Sequence, residues 1–186
     1  MRRWMTAIAL CMLMTAGLFF SPSAVIKAKD QPVPVQTAAL ITDRASRTEK
    51  VYRPGDTWNT PEWSLTIDSV EKTDDRNIYA DIEPAAVYIV TYTYENLHYT
   101  TTSKQGLCID LTSNRIIDCK GNLGYDYPLD RPEGSLPEEI RTGQKKTAQA
   151  VIGVDYEGAF VIQVQMYNSA KKSQYKAFFS CNVSDE

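Results

Sequence analysis

Ala85-Ala86-Val87-Tyr88-Ile89-Val90-Thr91-Tyr92-Thr93-Tyr94-Glu95-Asn96 decides the fold. It holds no Gly or Pro and is dense in β-branched and aromatic residues, which suit a pleated, half-buried strand. Its side chains alternate: Tyr88, Val90, Tyr92 and Tyr94 share one face, and Val87, Ile89, Thr91 and Thr93 share the other. Working outward, Trp63, Leu65 and Ile67 also alternate, while Val70 falls on the opposite parity, so the spacing predicts a bulge near Asp68-Ser69.

The remaining strands are expected around Trp58 and over Leu107–Leu111, Ile116–Cys119, Thr147–Asp155, Ala159–Tyr167 and Tyr175–Val183. Arg53-Pro54-Gly55-Asp56 and Thr73 to Asn77 read as turns, and Glu157-Gly158 as a tight connection. Gly121 to Pro137, which holds three Gly and three Pro counting its end residues, reads as a long irregular segment of the kind that carries function. No helical period occurs after Val51. Seven or eight short strands in one domain predict an all-β, antiparallel, immunoglobulin-like β-sandwich, with a small barrel as the competing architecture.

The chain has 186 residues, room for one domain with a real core. Arg2 and Arg3, the apolar run Thr6 to Phe20 and the small-residue stretch Ser21 to Ala24 have the three-part form of a secretory signal peptide. The run is shorter than the ~20 residues that span a bilayer. Cleavage after Ala24 or after Ala28 fits, Ala28 being preferred, and an uncleaved anchor is the alternative. Residues 1–28 are therefore assigned to the signal peptide, 29–50 to a flexible linker and 51–186 to the domain. Cys11 lies inside the apolar run, not at its end, so the product is expected to be secreted and not lipid-anchored. Removal of residues 1–28 leaves 17 basic against 23 acidic residues, a net charge of −6. Such a surface argues against nucleic acid and anionic lipid as partners.

Cys108, Cys119 and Cys181 remain after the leader. A hairpin turning at Thr112-Ser113-Asn114-Arg115 places 108 opposite 119, at a ladder distance within disulfide reach. A Cys108–Cys119 disulfide is therefore expected, with Cys181 left over. Three buried thiols are the alternative.

Tyr52-Arg53-Pro54-Gly55-Asp56-Thr57-Trp58, then Leu65 to Glu71, Val87 to Asn96, and Pro137 to Thr147 with Gly143-Gln144-Lys145 opening a strand, run in the order of a known family. Over about residues 51–168 the chain resembles Gram-positive extracytoplasmic domains of unknown function with an immunoglobulin-like fold, similar to the mycobacterial immunoprotective extracellular antigen. The resemblance implies a fold and a location outside the membrane; it carries no catalytic residues and no cofactor. Many such proteins carry a lipid-attachment cysteine, which this sequence lacks.

For function, absences weigh most. There is no nucleophile elbow, phosphate loop, C-x-x-C, H-E-x-x-H or calcium-loop spacing. With His98 as the single histidine, a Ser-His-Asp or Cys-His set has one possible centre. No metal site and no cofactor are expected, the alternative being a loop calcium site from Asp74, Asp75 and Asp81. Two readings face the strand 87–96: the tyrosine face as sandwich core, or Tyr88, Tyr92 and Tyr94 as an outward platform for a sugar ring or a protein. Tyr125 and Tyr127, in the long loop, are the other candidate contact residues. The expected function is a secreted, non-catalytic binding or interaction module whose partner is an extracellular protein or a cell-wall glycan. The alternatives are a cell-envelope carbohydrate-binding module using tyrosine stacking, and a hydrolase using carboxylates such as Asp126, Asp130, Glu138 and Glu139. Asn182-Val183-Ser184 fits a glycosylation sequon.

Overall fold

The computed structural model describes residues 50–101 and 106–182. The leader, nearly all of the linker, and Val183 and Ser184 of the sequon lie outside the described residues. Nine strands are seen among those described: β1 (Val51–Tyr52), β2 (Thr57–Asn59), β3 (Trp63–Thr73), β4 (Ala86–Asn96), β5 (Arg115–Ile117), β6 (Tyr125–Asp126), β7 (Lys145–Val154), β8 (Phe160–Asn168) and β9 (Ser173–Cys181). They form two sheets, ordered β1-β9-β8-β5 and β2-β3-β4-β7-β6. All pairings are antiparallel except β1 on β9. The structure is thus the all-β sandwich expected from the alternation. Nine strands occur instead of seven or eight because two are two-residue ladders too short to leave a periodic signal.

β4 is the middle of the larger sheet, pairing with β3 along one edge and β7 along the other. Ile67 pairs with Tyr92 and Ser69 with Thr91, which makes Asp68 the extra residue of the anticipated bulge. The core between the sheets is aliphatic through Leu65, Ile67, Val90, Ile152, Ile162 and Val164. Near β2 it is aromatic: the Trp58 and Trp63 rings meet edge to face at 4.4 Å, and Trp58 meets Phe179 at 6.3 Å.

The expected hairpin is absent. A turn does form at 110–114, where Asp110 accepts from Thr112 N–H and the Thr112 and Ser113 hydroxyls. Its arms then diverge. β5 leaves to pair with β8, while residues 107–111 form no strand and make one isolated backbone bridge, Leu107 to Ile140. Leu107, Ile109 and Leu111 are nevertheless buried, so their alternation records burial without pairing.

The disulfide is overturned with the hairpin: Cys108 and Cys119 are not joined. Cys119 Sγ lies 3.4 Å from the Glu157 carbonyl, at the end where Gly158 holds the Tyr88 hydroxyl. Cys108 interacts with the Tyr94 side chain. Tyr88 and Tyr94 are six residues apart on one strand, about 20 Å, far beyond the ~7 Å Cα limit for a bridge.

Candidate functional site

The tyrosine face of β4 is the core. Tyr88, Tyr92 and Tyr94 are all but completely buried, and the outward platform is thereby corrected. The physical reason lies at their tips. The Tyr92 hydroxyl donates to the Ile109 carbonyl at 2.9 Å; the Tyr94 hydroxyl donates to the Glu138 carbonyl at 2.5 Å and accepts from Glu138 N–H at 3.0 Å. Tyr88 does the same with Gly158, at 3.3 and 3.1 Å. Each ring fills the core and each hydroxyl fastens a connection that crosses the rim. Thr91, Thr93 and Glu95, whose polar atoms need solvent or partners, face outward instead. Burial raises all three phenols, Tyr94 to about 12.

Tyr127 is also buried, contrary to its reading as an exposed contact residue, and Tyr125 is half-buried. With Val87, Val151, Ala80 and Leu129 they form a second cluster on the outer side of the larger sheet, covered by the 124–137 segment. Gly153 permits this: a Cβ there would sit 2.7 Å from the Tyr125 ring. The long segment is therefore a cover over half of the outer face.

What the cover holds is the connection between β3 and β4. Tyr127 Oη accepts from Asn77 N–H at 2.9 Å, and Asn77 Nδ2 donates to the Pro128 carbonyl at 2.6 Å. Asn77 Oδ1 accepts from Tyr79 N–H, and Asn77 O from Ala80 N–H. The turn so fixed presents Ile78 and Tyr79 to solvent, 84% and 86% exposed, followed by Ile82. At this end β4 begins and β7 finishes, Ala86 pairing with Val154, and Lys72 bridges to Glu157 of the β7–β8 connection. Cys119 Sγ approaches the Tyr156 carbonyl, and Leu123 bridges to Ile117. Leu123 and Tyr156 are exposed too, so five large apolar side chains crowd the loops of one end of the sandwich. The segments that carry them also carry Asp74, Asp75, Asp81, Glu83, Asp155 and Glu157, against Lys72, Arg76 and Lys120. Arg76 donates to the Thr73 and Asp75 carbonyls.

The signal for this end was in the sequence: Ile78, Tyr79 and Ile82 stand between acids and before Pro84, in no strand pattern. The opposite end is closed by a polar knot that periodicity does not show. Glu62 is 1% exposed, accepts from Asn168 Nδ2 at 2.7 Å and meets Lys171 Nζ at 3.2 Å. Thr60 caps the same turn, accepting from Glu62 and Trp63 N–H and donating to the Trp63 carbonyl.

Among the described residues no three His, Cys, Asp or Glu side chains converge as metal ligands would. Two of the carboxylates considered for hydrolysis face cations: Asp126 meets Arg131 at 2.8 Å and Glu138 meets Lys146 at 2.6 Å.

These features define an immunoglobulin-like all-β sandwich with one apolar loop end. No family model and no curated protein matches the sequence. Among solved structures, the chain is similar to the yjhA protein of Bacillus subtilis, at 13% identity and a TM-score of 0.53, covering 70% of this chain and 99% of that one. It is similar also to ycdA of Bacillus subtilis, named as a candidate lipoprotein, at 15% identity and a TM-score of 0.50 over 67% of this chain. It spans 38% of the ycdA chain. The secreted protein MPT63 of Mycobacterium tuberculosis matches at 9% identity and a TM-score of 0.49, covering 74% of this chain and all of that one. At such identities the likeness to yjhA and ycdA is one of fold alone.

Proposed function

We propose that the protein is an extracytoplasmic, non-catalytic interaction module that grips a protein partner with the loop end bearing Ile78, Tyr79, Ile82, Leu123 and Tyr156. The observation that carries this reading is the exposure of Ile78 and Tyr79 on a turn held by Asn77 and Tyr127. Burying such side chains only on association is the mark of an interface anchor, and a fixed turn loses little entropy on binding. The excess of acidic residues on the segments of this end selects a partner whose apolar cleft is rimmed by Lys and Arg. The leader-like start of the sequence and the lipoprotein naming of ycdA support the location.

The test is paired affinity capture from native culture medium and cell surface, with the protein and its Ile78→Ser/Tyr79→Ser variant as baits. A protein recovered by the first, reduced about tenfold with the second and weakened by salt is the expected result. Equal recovery by both baits removes the loop end from the function.

A further inference from the structure

Across the outer face of the larger sheet, away from the cover, four threonines stand in one row on four adjacent strands. Thr57 of β2 pairs with Thr66 of β3, Thr66 with Thr93 of β4, and Thr93 with Thr147 of β7. At the strand spacing the row is about 14 Å long. Its hydroxyls are bonded in place: Thr57 Oγ1 to Thr66 Oγ1 at 2.8 Å, Thr93 Oγ1 to Thr147 Oγ1 at 2.8 Å, and Thr93 Oγ1 to Asp68 Oδ2 at 2.7 Å. Cross-strand threonine bonds can simply stabilise a sheet, but Asp68 adds something a plain ladder lacks. It is the bulge residue between Ile67 and Ser69, and the extra residue turns its carboxylate onto the row.

Asp68 also fixes the protons. An ionised carboxylate only accepts, so Thr93 donates to it, and Thr147 must in turn donate to Thr93. With those protons spent inward, Thr93 and Thr147 show lone pairs to solvent, while of Thr57 and Thr66 one hydroxyl donates to the other and the second keeps a proton free to donate. Gln149 continues this character beside it, its Nε2 donating to Thr91 Oγ1 at 3.4 Å. On the other side Glu95 and Lys145 neutralise each other at 3.1 Å. Thr57 and Thr147 are exposed, Thr66 and Thr93 half-buried, and no aromatic ring stands among the row and these neighbours.

We infer that this strip is a second binding surface, for a linear uncharged glycan whose ring hydroxyl and acetamido N–H groups donate to the row. The strip has no apolar anchor of the kind that holds a protein partner. Its lone pairs and Asp68 repel a polyanion. A glycan chain offers repeated hydroxyl donors and acceptors along a line, which a straight row of threonine hydroxyls held by their neighbours meets with little reorganisation. This site is independent of the loop end.

The test is sedimentation of the purified protein with insoluble chitin, cellulose and purified cell-wall glycan. Retention on at least one polymer is expected, with Thr93→Val/Thr147→Val lowering affinity tenfold or more and Thr93→Ser retaining it. The Ile78→Ser/Tyr79→Ser variant should bind as the parent does. Valine keeps the β-branched shape; should the double variant unfold, Thr147→Lys, at an exposed end of the row, gives the same readout. No retention on any of the three polymers overturns the inference. So does retention unchanged by the threonine variants.

Discussion

Glu62 shows how one residue closes one end of the sandwich. Its carboxylate takes Asn168 Nδ2 from β8 and Lys171 Nζ from the β8–β9 turn, while its carbonyl accepts from Leu97 and His98 N–H beyond β4. Lys171 is half exposed, so its share is that of a surface pair, whereas the Asn168 bond is buried. Glu62→Ala should therefore cost about 2–3 kcal/mol, the value of buried hydrogen bonds to a charged group, and Lys171→Ala less than about 1 kcal/mol. Paired denaturant titrations decide; equal costs would place the stabilisation in the ion pair. The thiols separate in the same way by environment. Burial pushes Cys181 up to about 12, while Cys108 is exposed and Cys119 half-buried. Counted without Cys11, two thiols should react with a mild alkylating reagent in the native protein and the third only on unfolding. A native protein with no reactive thiol, and a single one on unfolding, would restore the disulfide that the structure denies.

At the scale of elements, alternation made the strands legible and register stayed hidden. Trp63, Leu65 and Ile67 declared their face and Val70 declared the bulge, because a period of two maps directly onto the pleat. Leu107, Ile109 and Leu111 alternate equally well and form no strand, since alternation reports which side is buried and not what lies along the edge. The inward choice of Tyr88, Tyr92 and Tyr94 was open in the sequence for a related reason. It rests on hydroxyl partners at 109, 138 and 158, which only the folded chain brings to the rim. Only Thr93 of the threonine row was placed by the sequence, on the face it shares with Thr91; Thr57, Thr66 and Thr147 joined it through register. The apolar loop end depends on such a distant contact as well. Tyr127→Phe keeps the buried ring and deletes the acceptor for Asn77 N–H. It should cost about 0.5–1.5 kcal/mol and speed amide exchange at Asn77 and Ala80 while leaving β3 and β4 protected. Unchanged exchange at those two amides would mean that Asn77 and Pro128 hold the turn without the phenol.

At the scale of the whole molecule, burial raises four groups that must stay protonated in the fold: the Tyr88, Tyr92 and Tyr94 phenols and the Cys181 thiol. Tyr94 is raised to about 12 chiefly by burial, against the opposing effect of its bond to the Glu138 backbone. Tyr92 is raised further by burial and the nearby Asp110, and Cys181 reaches about 12. In the unfolded chain these groups ionise near 10 and 9. Between the unfolded and folded values the native state holds more protons, so stability falls as pH rises through that window and is fully present below it. The sandwich should accordingly resist mild alkali and unfold cooperatively between about pH 10 and 12, the buried tyrosines ionising in the same step. Tyrosinate absorbance followed beside far-ultraviolet circular dichroism checks this. Tyr88, Tyr92 and Tyr94, raised by burial, should ionise only as the β signal collapses. If those three ionised before that collapse, the tyrosine face of β4 would have to be open to water. The core would then be the face of Val87, Ile89, Thr91 and Thr93, and the threonine row could not stand outside.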